Sequence, residues 1–182
     1  MATAYSPKII TDGLVLCLDA EDLKSNSGSG SSTLNNRALT NTNASIINGT
    51  SSSKIVSLDG TNDYINVNNS ETNATLSPDV ATFSIWCRPV HWSGTGDYGS
   101  SLISRGNYNT AGGFFIHLKK SGNPSYPIAQ ANFSHSTTTS YNYNTAPYAT
   151  LNGWDNWVNV TVTVDSNIKV YVDGVLQSTT SR

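Results

Sequence analysis

Seven aromatic side chains, Trp92, Tyr98, Tyr108, Tyr126, Tyr141, Tyr143 and Tyr148, sit in stretches dominated by Gly, Ser, Thr and Asn. The densest are His91-Trp-Ser-Gly-Thr-Gly-Asp-Tyr98 and Ser140-Tyr-Asn-Tyr-Asn-Thr145. Rigid rings supply contact area at small entropic cost, and small polar residues supply hydrogen bonds, so this composition suits an adaptable recognition surface. Sugars fit it, because their apolar faces stack on rings while their hydroxyls meet amides. A protein partner fits it as well, and so does a purely structural use in which rings pin long loops onto the fold. Trp92, Tyr98, Tyr108, Tyr141 and Tyr143 form the candidate ligand-binding set.

Other chemistry is sparse. The run Asp59-Gly-Thr-Asn-Asp63 offers hard oxygen ligands of the class calcium takes, with Asp59 and Asp63 as the candidate metal ligands. Asp63, just before Tyr64, equally suits capping the turn. No cofactor other than calcium is indicated. Glu21 and Glu71 are the only glutamates, and His91, His117 and His135 are scattered with no Ser-His-Asp spacing or nucleophile elbow. Acid–base catalysis would need carboxylates from distant segments, such as Asp97 and Asp155, to converge. The expectation is a protein that is not an enzyme.

Charge and length narrow the partners. Charged residues make up 12% of the 182-residue chain, about half the globular average of ~25%. A net charge of −2 with ten Lys and Arg lacks the clustered cations that neutralise phosphates, so nucleic acid is not expected as a partner. The apolar run Leu14–Leu18 follows no basic segment and falls far short of the ~20 residues that span a bilayer, so neither signal peptide nor membrane anchor is expected. Without a signal peptide, the six Asn-x-Ser/Thr triplets, Asn159 among them, follow from composition. Cys17 and Cys87 have apolar neighbours and read as buried free thiols rather than a disulfide. The length suits one domain, residues 1–182, with one core.

The elements that must position these residues are strands. Val158, Val160, Val162 and Val164 share one parity against Asn159, Thr161 and Thr163, and Ile168, Val170 and Val172 alternate with Lys169 and Tyr171. Period two in β-branched residues marks half-buried strands. Asp173-Gly174 then predicts a two-residue type I′ turn, whose central residues both need positive φ. Further strands are expected at Ala44–Ile47, Lys54–Asp59, Tyr64–Asn68, Thr82–Pro89, Ser101–Arg105, Gly113–Lys119 and Ile128–Phe133, with Lys24–Asn43 as a flexible surface loop. The expected fold is all-β, an antiparallel two-sheet β-sandwich. Within it Phe83, Ile85 and Cys87 face the core, as do Phe114, Ile116 and Leu118. The opposite parity carries Trp86, Arg88, Arg105, Phe115, His117 and Lys119, a mixed aromatic-cationic surface if these strands are neighbours in one sheet.

The segments Trp157-Val-Asn-Val-Thr-Val-Thr-Val-Asp165 and Ile168-Lys-Val-Tyr-Val-Asp-Gly-Val-Leu176 resemble the tryptophan-led hairpin, ending in a Tyr-x-Asp/Asn-Gly turn, of concanavalin A-like, laminin G-like jelly-roll domains. Asp12-Gly-Leu-Val-Leu-Cys-Leu-Asp-Ala20, Ser57-Leu-Asp-Gly-Thr-Asn-Asp-Tyr-Ile65 and Phe83-Ser-Ile-Trp-Cys-Arg-Pro89 fall in that family's order. The first of these, preceded by Ile9-Ile10-Thr11, is similar to the opening of such domains in tailed-bacteriophage virion proteins. The resemblance implies a jelly roll, with Trp86 as a packing residue partly covered by loops, and it lends weight to a rim calcium near Asp59 and Asp63.

It further implies a structural or binding module on the outside of a phage particle, as a head decoration, fibre or tail accessory protein, made in the host cytoplasm. Its partners there would be other virion proteins, a second copy, or host-surface glycans. A carbohydrate-active enzyme domain and a calcium-dependent adhesin or lectin are the alternatives. Glycosidases of this family commonly carry Glu-x-Asp-x-x-Glu on one strand, a motif this chain lacks. Family members usually continue past the Asp-Gly hairpin with a strand that pairs with the opening one. If that strand is missing, the expectation is either that Gly13–Ala20 presents an open edge for self-association or another virion component, or that the sequence is a piece of a longer polypeptide.

Overall fold

Alternating β-branched residues with few helix formers between them should produce pleated ribbons, and the computed structural model contains strands and no helix among its described residues. Those residues are Leu18, 33–35, 43–51, 55–59, 62–67, 80–90, 98–105, 114–119, 128–133, 148–151 and 154–181. The chain divides into two compact units, Met1–Leu76 and Ser77–Arg182.

In the first unit, β1 (Thr33–Asn35), β2 (Asn43–Ile47) and β5 (Tyr64–Val67) form an antiparallel sheet in the order β1-β2-β5, while β3 (Thr50–Ser51) and β4 (Val56–Ser57) pair as a hairpin. Register places Leu34 opposite Ala44 and Ile46 opposite Ile65. One face of the sheet therefore collects the buried Leu34, Ala44 and Ile46, with Leu18, Val56, Ile65 and Val67 packed against them. Asn48, at φ 58°, turns the chain out of β2. Gly49 follows where a Cβ would stand 2.6 Å from Leu58 Cδ2 and 2.9 Å from the Ser57 carbonyl oxygen, so no larger residue fits without displacement. The segment Lys24–Asn43, expected as a loop, contains β1 and the first residue of β2. A lone buried leucine among polar residues leaves no period-two signal, which is why this strand was not expected. Of the opening strand expected over Gly13–Ala20, all but Leu18 lies outside the described residues, as does Cys17.

The second unit holds β6 (Ala81–Cys87), β7 (Tyr98–Arg105), β8 (Phe114–Lys119), β9 (Ile128–Phe133), β10 (Tyr148–Thr150), β11 (Val158–Val164), β12 (Asn167–Val172) and β13 (Val175–Ser181). They make two four-stranded sheets, ordered β10-β9-β8-β7 and β13-β12-β11-β6, with every pairing antiparallel. β9 and β10 approach β12 and β13, and Phe83 of β6 meets Phe114 of β8 with ring centroids 4.7 Å apart. The sheets therefore stack as the two layers of a β-sandwich. Between them lie Val158, Val160, Val162, Val164, Ile168, Val170 and Val172 from one sheet and Phe114, Ile116, Leu118, Ala129 and Ala131 from the other, all buried. Each large side chain so placed contributes about 1.5–3 kcal/mol by leaving water.

Local turn chemistry sets the register of the last three strands. Asp173 and Gly174 have φ of 49° and 80°, the two positive values a type I′ turn requires. As Asp173 leaves the ladder its N–H still donates to the Asn159 carbonyl at 2.9 Å. Its carboxylate Oδ1 accepts the Asn159 N–H at 2.9 Å. At the other hairpin, Asp165 Oδ1 accepts the Asn167 N–H at 2.7 Å, a side chain mimicking a backbone turn.

Candidate functional site

The residues singled out from sequence do not gather into one site. Trp92, Tyr108, Tyr126, Tyr141 and Tyr143 lie outside the described residues. Tyr98 and Tyr148, expected in loops, instead begin strands β7 and β10; tyrosine favours strands, and glycine, serine and alanine neighbours hid that preference. Trp86 and Arg88 belong to β6 and its continuation, whereas Arg105 and His117 belong to β7 and β8 of the opposite sheet, so the neighbouring strands that a shared aromatic-cationic surface needs are not formed.

Register also moves Arg105. Ser101 pairs with His117 but Ile103 pairs with Ile116 and Arg105 with Phe114, because the ladder slips between Ser101 and Ile103. A one-residue slip exchanges the two faces of a strand, and Arg105 shares the face of Phe114 rather than that of His117. His117 itself is buried, its ring 4.6 Å from Phe115, so it is not part of an open surface.

In the first unit, Asp63 Oδ2 accepts the Asp59 N–H at 2.7 Å, the turn-capping arrangement. Among the described residues no group of three or more His, Cys, Asp or Glu converges on a point that would hold a metal ion.

A different set comes together on the outer face of the sheet β13-β12-β11-β6. Trp86 stands directly opposite Asn159, and Ser84 opposite Thr161, which on its other side faces Tyr171. Because opposed residues of an antiparallel pair share a face, Trp86, Ser84, Asn159, Thr161 and Tyr171 all point away from the valine core. Trp86 is 66% exposed, far from the covered packing role that the resemblance implied.

Proton counting shows how the polar members are wired. Asn159 Oδ1 can only accept, so the 2.8 Å contact with Thr161 Oγ1 uses the single Thr161 proton. Asn159 Nδ2 donates to Ser84 Oγ at 3.1 Å. The Ser84 and Thr161 oxygens are also 3.1 Å apart, and with the Thr161 proton already committed, Ser84 must donate there. The three side chains close a ring in which each donates once and accepts once. The inventory that remains is one Asn159 N–H donor and one free acceptor lone pair each on Asn159 Oδ1, Ser84 Oγ and Thr161 Oγ1. A pre-ordered, acceptor-rich patch beside an exposed indole matches the two faces of a sugar: C–H groups to stack and hydroxyl protons to donate.

The rim of this face is built at the end of β6. Extending the register one residue beyond Val158 and Cys87 brings Trp157 opposite Arg88, and the Asp155 N–H, on a residue at φ 63°, bonds the Pro89 carbonyl at 2.8 Å to hold the two chains together there. Trp157 is 49% exposed and Arg88 is exposed. On the inner side of the same corner Cys87 is a free thiol, pushed up from the usual 9.0 to about 11 by burial, with the Asp173 carboxylate adding to the rise.

Sequence reasoning placed Trp86 and Arg88 facing outward but missed Asn159, Ser84, Thr161, Tyr171 and Trp157 as companions. The signal was present in the strand parity; what it lacked was the pairing of β6 with β11, separated by more than seventy residues. No curated protein and no solved structure matches the chain. A family model does match, from residue 59 through residue 182, and that stretch takes in β5 and the whole two-layer sandwich. With more than half of its length matched and a jelly-roll type of β-sandwich on the page, the chain belongs to the concanavalin A-like lectin/glucanases superfamily.

Proposed function

We propose that the chain is a non-enzymatic carbohydrate-binding module whose sugar surface is the outer face of β6, β11 and β12. The observation that carries this reading is the closed Ser84–Asn159–Thr161 ring of hydrogen bonds beside the exposed Trp86. Superfamily membership supports it. The non-enzymatic part is supported by the chemistry of that face: among the described residues the carboxylate bonded to the strand beside the polar ring, Asp173, has Oδ1 engaged with a backbone N–H, whereas retaining glycosidases set two carboxyl groups about 5–5.5 Å apart.

The test is a glycan array probed with the wild-type chain and with Trp86→Ala. Binding by the wild type, lost in the variant while its circular dichroism is unchanged, is the expected result; equal binding by both places the sugar site elsewhere. Release of reducing ends from any bound polysaccharide would overturn the non-enzymatic reading. The setting on a tailed-phage particle is supported by the resemblance of Asp12–Ala20 alone, with host-surface glycans as the ligands suited to it. Antibody labelling of particles in electron micrographs tests that setting independently.

A further inference from the structure

We infer, resting on the carbohydrate-binding reading above, that this face takes a neutral chain of at least two sugar rings, with Trp86 and Tyr171 as separate stacking platforms on either side of the hydrogen-bonded ring. The register fixes their separation. Trp86 lies on β6 and Tyr171 on β12, with β11 between them; Trp86 is level with Asn159, Tyr171 with Thr161 two residues further along. Two strand spacings of about 4.8 Å and two residue rises of about 3.4 Å put their backbone attachment points roughly 12 Å apart, more than one pyranose ring can cover.

Ser84, Asn159 and Thr161 occupy the interval, so a ligand stacked at both ends passes its hydroxyls over their free acceptors. Leu176, opposite Tyr171 and 51% exposed, widens the second platform. The charged side chain at this interval is Asp173, two residues beyond Tyr171, whose Oδ1 accepts the Asn159 N–H at 2.9 Å and which would repel an anionic sugar, and the lysine in the next row, Lys169, sits 3.9 Å from the Asp165 carboxylate. This arrangement favours a neutral sugar over a uronate or sulfated one. Two apolar spots divided by a polar ring also suit a ribbon-like saccharide better than the continuous apolar centre of a protein interface.

The test is calorimetric titration of the full chain with graded cello-, manno- and galacto-oligosaccharides, from monosaccharide to tetrasaccharide, beside their uronate counterparts. Affinity for the neutral series is expected to rise about tenfold or more beyond the monosaccharide, the equivalent of ~1.4 kcal/mol. Tyr171→Ala should remove that increment and Tyr171→Phe should keep it, whereas Trp86→Ala should abolish binding to every length. Length-independent affinity, an unaltered Tyr171→Ala variant or a preference for uronates overturns the inference while leaving the sugar-binding reading intact. Failure of the wild type to bind any series, with attachment to host cells that survives periodate oxidation of their glycans, overturns both and assigns the face to a protein partner.

Discussion

The two faces of β11 do opposite work with the same seven residues. On one, Val158, Val160, Val162 and Val164 are buried against the facing sheet; on the other, Asn159 and Thr161 join Ser84 in a ring of side-chain hydrogen bonds. Apolar burial is non-directional and grows with area, so the inner face tolerates exchange among residues of similar volume. Hydrogen bonds give little net stability but demand geometry, so the outer face contributes shape and donor pattern rather than folding energy. The difference teaches that stability and recognition are separable here: each should respond to substitutions the other ignores.

The largest effect is expected from Phe114→Ala, which removes a fully buried ring in contact with Phe83 across the sheets. Loss of about 3–5 kcal/mol is expected from the transfer and cavity costs, read as a fall in the denaturant midpoint, with the remaining folded protein keeping its glycan affinity. A lost affinity in the folded fraction would break the separation of the faces.

A smaller effect comes through Cys87. Its folded thiol keeps its proton until about pH 11, while the unfolded thiol loses it near the usual 9.0. Between those values the unfolded chain binds fewer protons, so this residue's contribution to stability, complete below pH 9, falls as pH rises toward 11. Cys87→Val should flatten that part of the stability profile measured by chemical denaturation, and an unchanged slope would assign the alkaline loss to other groups.

The smallest change in stability is expected on the outer face. Thr161→Val keeps the shape but withdraws the proton given to Asn159 Oδ1. Stability should move by no more than about 0.5 kcal/mol, as for most surface substitutions, while glycan affinity drops several-fold by titration. A large loss of stability would show that the ring of hydrogen bonds is part of the folding energy after all.

Much of the fold was legible in short stretches. The valine parity of β11 and β12 and the Asp173-Gly174 pair were sufficient for the last three strands, and Phe83, Phe114, Ile116 and Leu118 stand on the core side as their spacing implies. The strands that escaped notice, β1, β3 and β10, are two or three residues long, too short for alternation to rise above composition. Arg105 was placed on the wrong face because a ladder slip depends on how β7 meets β8, not on β7 alone. His117 had the parity of an outward residue, yet it is buried.

What the chain's order of residues determined by itself was everything that neighbours two or a few positions apart decide: strand alternation, type I′ turn chemistry and an outward Trp86. The tertiary structure alone decided that β6 lies beside β11, which brings Ser84 within 3.1 Å of both Asn159 and Thr161, and that Trp86 and Arg105 belong to different sheets. The physical reason is that alternation is set by the local pleat, whereas pairing between strands distant along the chain is chosen by how whole apolar faces come to be buried together, an energy no short window of residues contains.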